Sequence, residues 1–294
     1  MSEARTLLLG FIAGVTILLG LPLGRLRRPV PGLNQFLNAT AIGILIFLVW
    51  DVLAHAWEPI DAALGKVHDH SGGLGPVFGY GALFLGGLSV GLLGLLGYER
   101  TLARRADRPR PVPEGGRTGR FGPGAMAADE LAALAPPVQS GHSPARRLAL
   151  TIAVGIGLHN FGEGLAIGGS AGRGEIALAT LLVIGFALHN ATEGFGIVAP
   201  LAAAADRPSW RFLLLAGLIG GGPTVVGTAI GRQFTSDPLS VIFLSLAAGS
   251  ILYVVVQLIG VGSRAGRREL LYLGILAGLT AGFLTDAVVT AGGA

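Results

Sequence analysis

The chain reads as an all-α polytopic membrane protein, a bundle of eight transmembrane helices. Three observations predict it. Mean hydropathy is +0.67 and only 13% of residues are charged, where a soluble domain carries about a quarter. Apolar runs close to or above the ~20 residues that cross a bilayer cover 6–24, 34–57, 76–98, 145–169, 175–201, 210–231, 238–262 and 270–291. Of 21 Lys and Arg, all but Arg5, Lys66, Arg173 and Arg232 fall on one set of alternate sides of those runs. By the positive-inside rule that set is cytoplasmic and both termini are extracytoplasmic. The net charge of +4 is then a topology signal, and no nucleic-acid partner is expected.

The first run resembles a signal peptide only superficially. Its basic cluster, Arg25, Arg27 and Arg28, follows the apolar stretch, and no small-residue cleavage site stands out. It is read as a helix with its N-terminus outside. The second run carries Asp51, His55 and Glu58 near its outer end. Spacings of four and three place them on one helix face. Asp51 and His55 are candidates for an access path. The alternative is that His55 and Glu58 sit at the interface beside Trp57. Asp51 lies deeper, where a carboxylate is costly. His68, Asp69 and His70 follow in an outer loop; they could capture cations by chelation, but three polar residues in a loop are more often simply solvated.

Glycine spacing of four at Gly10/Gly14, Gly87/Gly91 and Gly227/Gly231 suits close helix approach in lipid. Residues 102–144 are polar and rich in Arg, Pro and Gly. Such a stretch cannot bury a core, so a disordered cytoplasmic loop is expected, with a short amphipathic helix over 129–134 and an unliganded His142. It divides one membrane domain into three spans (1–101) and five (145–294).

The fourth and fifth runs hold the same phrase twice: His159-Asn160-Phe161-Gly162-Glu163-Gly164 and His189-Asn190-Ala191-Thr192-Glu193-Gly194. In each, His and Glu share a helix face and Asn lies close to it. With Ser170 to Gly174 as the turn, antiparallel helices bring both copies to one depth. Ionisable groups inside a membrane mark ion or substrate pathways. Imidazole with carboxylate suits zinc and other first-row divalent ions. Neither half supplies enough ligands alone, so an ion would bridge the two helices.

Pro223 interrupts the sixth run after Gly220, Gly221 and Gly222, and a kink or local unwinding is expected there. Ser245, Ser250, Tyr253 and Gln257 in the seventh run read as hydrogen-bonding groups between helices. Asp286 in the eighth reads as interfacial. The chain contains no Cys, which excludes disulfides and thiolate ligands.

The doubled HNxxEG phrase on adjacent spans, within an eight-span layout, resembles the ZIP family of divalent metal transporters (Zrt/Irt-like proteins), especially its prokaryotic branch. The resemblance implies a multi-pass protein of the inner (cell) membrane, a homodimer, that moves zinc, or Fe2+, Mn2+, Co2+ or Cd2+, as substrate toward the cytoplasm without ATP. It implies no catalytic residue and no resident cofactor. It assigns His159, Asn160, Glu163, His189, Asn190 and Glu193 as metal ligands, on helices that move as a unit against the others. Some relatives carry a Glu just before the span-six Pro, as ligand of a second metal. Here that position is Gly222, so a single tight ion is expected. Relatives often have Pro before the motif Glu, where this chain has Gly162 and Thr192.

Two other functions are open to such a cluster. A membrane-embedded zinc hydrolase needs a metal and an acid–base carboxylate, but no HExxH phrase is present. A proton or cation channel could use the His–Glu pairs as relays. Paired antiparallel helices meeting at the midplane favour a carrier. Because bound ligands are deprotonated, metal affinity should fall at acid pH.

Overall fold

The computed structural model describes residues 2–25, 31–106, 143–174, 176–233, 236–264 and 266–291. Among them are eight α-helices and no strand: α1 Glu3–Val15, α2 Pro31–His68, α3 Leu74–Ala106, α4 Pro144–Gly172, α5 Ile176–Ala203, α6 Trp210–Gly231, α7 Asp237–Ser263 and α8 Arg268–Ala291. All eight expected spans are helical, long and apolar enough to cross a membrane. Most of the expected disordered loop, with the 129–134 helix and His142, lies outside the described residues.

Four spans differ from the sequence expectation. The first is not one helix: α1 passes into two 3-10 segments, Thr16–Leu19 and Leu21–Arg25. Pro22, inside the second segment, has no N–H to give the α-helical ladder, and the packing is tight, since a Cβ on Gly20 would lie 2.4 Å from the Ala191 carbonyl oxygen of α5. The second span continues well past Trp57. At 38 residues α2 is about 57 Å long, so its last turns project beyond the ~30 Å hydrocarbon layer. Hydropathy stops at the interface, but Ala, Leu, Glu and Lys sustain the helix beyond it. His68 is therefore helical, and the expected loop begins only at Asp69. His70 holds a left-handed φ of 55° and closes α2 as its C-cap, with Ser71 N–H donating to Lys66 O at 2.9 Å and His70 N–H to Val67 O at 3.2 Å. In the fourth span, Ser170 to Gly172 are the last turn of α4, so the connection is shorter than expected. In the sixth, α6 is helical straight through Pro223, and no unwinding occurs.

The helices form two groups. α4 packs most extensively on α6, and α1 covers both α6 and α5. α2 packs on α8 and α7, and α3 on α7. The groups meet where α4 crosses α7 and α5 crosses α2. All three Gly pairs serve as close contacts. A Cβ would lie 2.2 Å from Thr228 Oγ1 at Gly10, 2.3 Å from Leu246 O at Gly91 and 2.1 Å from Phe161 O at Gly227. Three of the four span-seven polar groups bond between helices. Ser250 Oγ donates to Gly155 O at 2.9 Å, and Tyr253 Oη and Gln257 Nε2 donate to Glu99 Oε2 at 2.7 and 3.0 Å. Ser245 instead donates to Val241 O of its own helix.

One end of the first group is clasped at the α5–α6 turn. Arg146 donates to both oxygens of Asp206 at 3.0 and 2.8 Å, and Ser143 Oγ donates to Oδ2 at 2.7 Å. Arg25 donates to Pro208 O and lies over Trp210. The hydrogen bonds from Arg146 hold the Asp206 carboxyl below its ordinary range. The clasp is therefore complete above that range and is lost as pH falls through the lowered value.

Candidate metal centre

The twin motif lies on two antiparallel helices, and the fold brings its copies face to face. The His159 and His189 rings are 6.2 Å apart between centroids. His159 Nε2 is 3.1 Å from Glu163 Oε1 on the next turn and 4.0 Å from Glu193 Oε1 across the seam. His189 Nε2 reaches across to hydrogen-bond the same Glu163 Oε1. His159, Glu163 and His189 each bring one ligand atom within 4.8 Å of the other two. Ligands of a tetrahedral zinc with bonds near 2.0–2.1 Å stand about 3.3 Å apart, so the observed separations bracket what such an ion requires.

The two Asn residues, both fully buried, each donate through the amide nitrogen to a helix outside the α4–α5 pair. Asn160 Nδ2 donates to Gly220 O of α6 at 2.9 Å, and Asn190 Nδ2 donates to Ala13 O of α1 at 3.1 Å. Their Oδ1 atoms are left without a hydrogen bond, as are His159 Nε2, Glu163 Oε2 and both Glu193 oxygens. A buried polar atom without a partner costs about 1–3 kcal/mol, and more when charged. These are all atoms with lone pairs to give, and a cation placed among them would satisfy them together.

The last residue of each motif has its own task. A Cβ on Gly164 would lie 2.1 Å from Thr224 O, and one on Gly194 would lie 2.3 Å from Ile17 O. These two glycines let α6 and the first span approach closely enough for Gly220 O and Ala13 O to meet the Asn amides.

A cavity of about 660 Å3 leads to the motif, lined among others by Asp51, His55, Glu163, His189, Thr285 and Asp286. Ala166 and Ser170 after the first motif, and Leu182 and Phe186 before the second, also line it. It therefore opens toward the end of the bundle where α4 stops and α5 starts. Asp51, with 29% of its side chain exposed, and His55, with 59%, stand on its wall. Glu58 is exposed and outside that lining. Asp286, expected to be merely interfacial, faces the cavity from α8. Sequence carried no signal for it, because a single Asp near a helix end has no periodic partner.

On the opposite side the motif is closed by apolar side chains. Ile152 and Ile156 of α4, Ile197 and Leu201 of α5, Ile251 and Leu258 of α7, and Ile17 are fully buried. They lie toward the Arg146–Asp206 end, because they precede His159 on α4 and follow Glu193 on α5.

Gly222 does not sit at a vacated ligand position: it faces outward, one turn from exposed Leu218 and Val226, and a Cβ there would meet nothing within 4 Å. Gly220 and Gly221 occupy the inward face instead, against Ile17 and Gly14. A carboxylate at 222 would point away from the motif. α6 carries no His, Asp or Glu at any position, so it supplies no charged ligand in any register.

No curated protein sequence matches the chain. The family model described as ZIP Zinc transporter matches residues 4–259, which spans α1 through most of α7 and contains both copies of the motif. The chain belongs to the ZIP zinc transporter family.

Proposed function

We propose that this protein carries a divalent transition-metal ion, zinc first, through the membrane toward the cytoplasm, bound between α4 and α5 by His159, Glu163, His189 and Glu193 with Asn160 and Asn190 as neutral oxygen donors. Family membership implies divalent metal transport and no enzymatic activity. What supports this particular site is the set of buried lone pairs from both motif copies that no protein donor satisfies. Asp51 and His55 form the approach: an ion entering the cavity passes their carboxylate and imidazole before reaching Glu163 and His189. The apolar closure beyond the motif favours a carrier over a channel, since the ion cannot leave on that side until the helices rearrange. The ligand-bearing group, α1, α4, α5 and α6, is the part that moves in this reading, against a homodimeric pair of the other groups.

The test is uptake by purified protein in liposomes, with Zn, Fe, Mn, Co and Cd in competition. ATP-independent zinc entry suppressed by the competing ions is expected, with one tightly bound ion per protomer by titration. Absence of uptake for all five overturns the reading.

Direction is tied to orientation. Nearly all basic residues lie on one set of sides, which supports a reading with both termini outside and 102–144 in the cytoplasm of a cell whose inner membrane holds the protein. Single Cys residues can be introduced without background because the chain has none. An impermeant thiol reagent should label a Cys near residue 70 in intact cells and leave one within 102–144 unlabelled. The reverse pattern inverts the topology and the direction with it.

A further inference from the structure

We infer that the cavity outside the twin motif is also a binding site for an amphipathic organic cation, a quaternary or protonated amine on an apolar body, and that this ligand keeps a metal ion out while it is bound. The binding does not rest on the twin motif holding a metal; only the exclusion does.

The cavity is larger than an ion needs. A divalent ion with six waters fills about 180 Å3 at ~30 Å3 per water, and the cavity holds about 660 Å3. That volume falls within the roughly 300–1,000 Å3 of sites that take organic ligands, which are mostly apolar with a few placed polar groups. The lining has this character. Phe47, Leu48, Leu182, Phe186 and Leu244 stand in its walls. Such side chains give a hydrated ion nothing, but an apolar body that covers them removes hydrocarbon from water.

The charge of the lining is one-sided. Asp51, Glu163 and Asp286 are three carboxylates, and among the described residues no Lys or Arg joins them. At the inner end Glu163 is only 5% exposed, and its Oε2 has no hydrogen-bond partner. Toward the mouth, Asp51 on α2 and Asp286 on α8 supply the negative charge, with Phe47 and Leu48 about one turn deeper on α2. On α5 the order reverses. Leu182 and Phe186 stand on the mouth side, and His189 lies about one turn deeper. The mouth thus combines carboxylates on two helices with an aromatic ring on a third. That is the chemistry that recognises an alkylammonium head, since the face of an aromatic ring attracts a cation as well. The Phe186 ring also packs edge-on against the His189 imidazole, with centroids 5.6 Å apart. A body seated on Phe186 therefore stands between the mouth and the Glu163–His189 contact, which is why it would shut a metal ion out.

Calorimetric titration of the metal-free full chain in lipid nanodiscs tests this, with empty nanodiscs as the blank. The probe is phenylbutyl-trimethylammonium, which carries a permanent charge and has no atom that chelates metal. The control is its uncharged isostere, with tert-butyl in place of trimethylammonium. The cation should bind once per protomer and at least tenfold more tightly than the isostere. Asp51→Asn and Asp286→Asn keep side-chain size, and each should weaken the cation about fivefold while leaving the isostere unchanged. Phe186→Leu keeps an apolar wall without the ring and should weaken the cation about threefold. In liposomes the cation should inhibit zinc uptake competitively. Equal affinity for cation and isostere, or unchanged cation affinity in both Asp variants, overturns the inference, since partition into lipid or apolar surface would then explain the binding. Zinc uptake unimpaired at saturating cation overturns it too. If the protein takes up no zinc at all, the metal reading fails, and the titrations alone decide the cation site.

Discussion

Glu163→Ala and Glu193→Ala should each reduce metal uptake to background while folded protein remains in the membrane. Each removes a carboxylate from a site that spans two helices, and the remaining half cannot complete coordination. The two losses should therefore be similar, and the double mutant no worse. The geometry separates the variants by stability. Both oxygens of Glu193 are buried without a partner, so its removal takes away an unsatisfied buried acceptor, and the metal-free melting temperature should hold or rise. Glu163 accepts from His189, so its removal strands an imidazole and should cost about 1–3 kcal/mol. Zinc should raise the melting temperature of the native protein and of neither variant. His159→Ala and His189→Ala should also impair uptake, with a shift toward harder ions as the oxygen share of the site increases. Stable zinc binding and intact transport in all four mutants would show that the motif only braces two helices.

Gly164→Ala and Gly194→Ala should each destabilise the fold. The atoms in the way are backbone: Thr224 O at 2.1 Å from the new Cβ in one case and Ile17 O at 2.3 Å in the other. Backbone cannot rotate aside, so α6 or the first span must move outward. Overpacking of this kind costs about 1–3 kcal/mol, and here it also pulls Gly220 O and Ala13 O away from the Asn amides. Expression and melting temperature in detergent should fall for both, together with zinc affinity. Gly162→Ala and Gly222→Ala are the controls. The nearest atom to a Cβ at Gly162 is Ala247 Cβ at 3.8 Å, and nothing lies within 4 Å at Gly222, so both should melt near the native temperature. Equal stability in all four would mean that the close approaches are not needed for folding.

By itself the sequence determined the class, the number of spans and the pairing of the motif. Hydropathy is a sum over about twenty residues, so it survives ignorance of packing, and the repeated phrase fixes its own helix face through the 3.6-residue period. That is why the eight spans are legible in the sequence, and why His159 and Glu163 are expected opposite His189 and Glu193 from the repeat alone. It was blind wherever meaning depends on a neighbour distant in the chain. The break in the first span begins at Thr16, six residues before Pro22, and the close approach of Gly20 to α5 that goes with it exists only in the folded bundle. Gly222 looked like a vacated ligand position until the rotation of α6 turned it to the outside. Asp286 acquired a role only when α8 packed beside α2 and closed the cavity wall. Most of all, the two Asn residues read as ligands of unspecified orientation. Which end of each amide is left without a partner is decided by carbonyls on α1 and α6, more than fifty residues away along the chain, and hydrogen-bond complementarity of that kind exists only in the folded bundle.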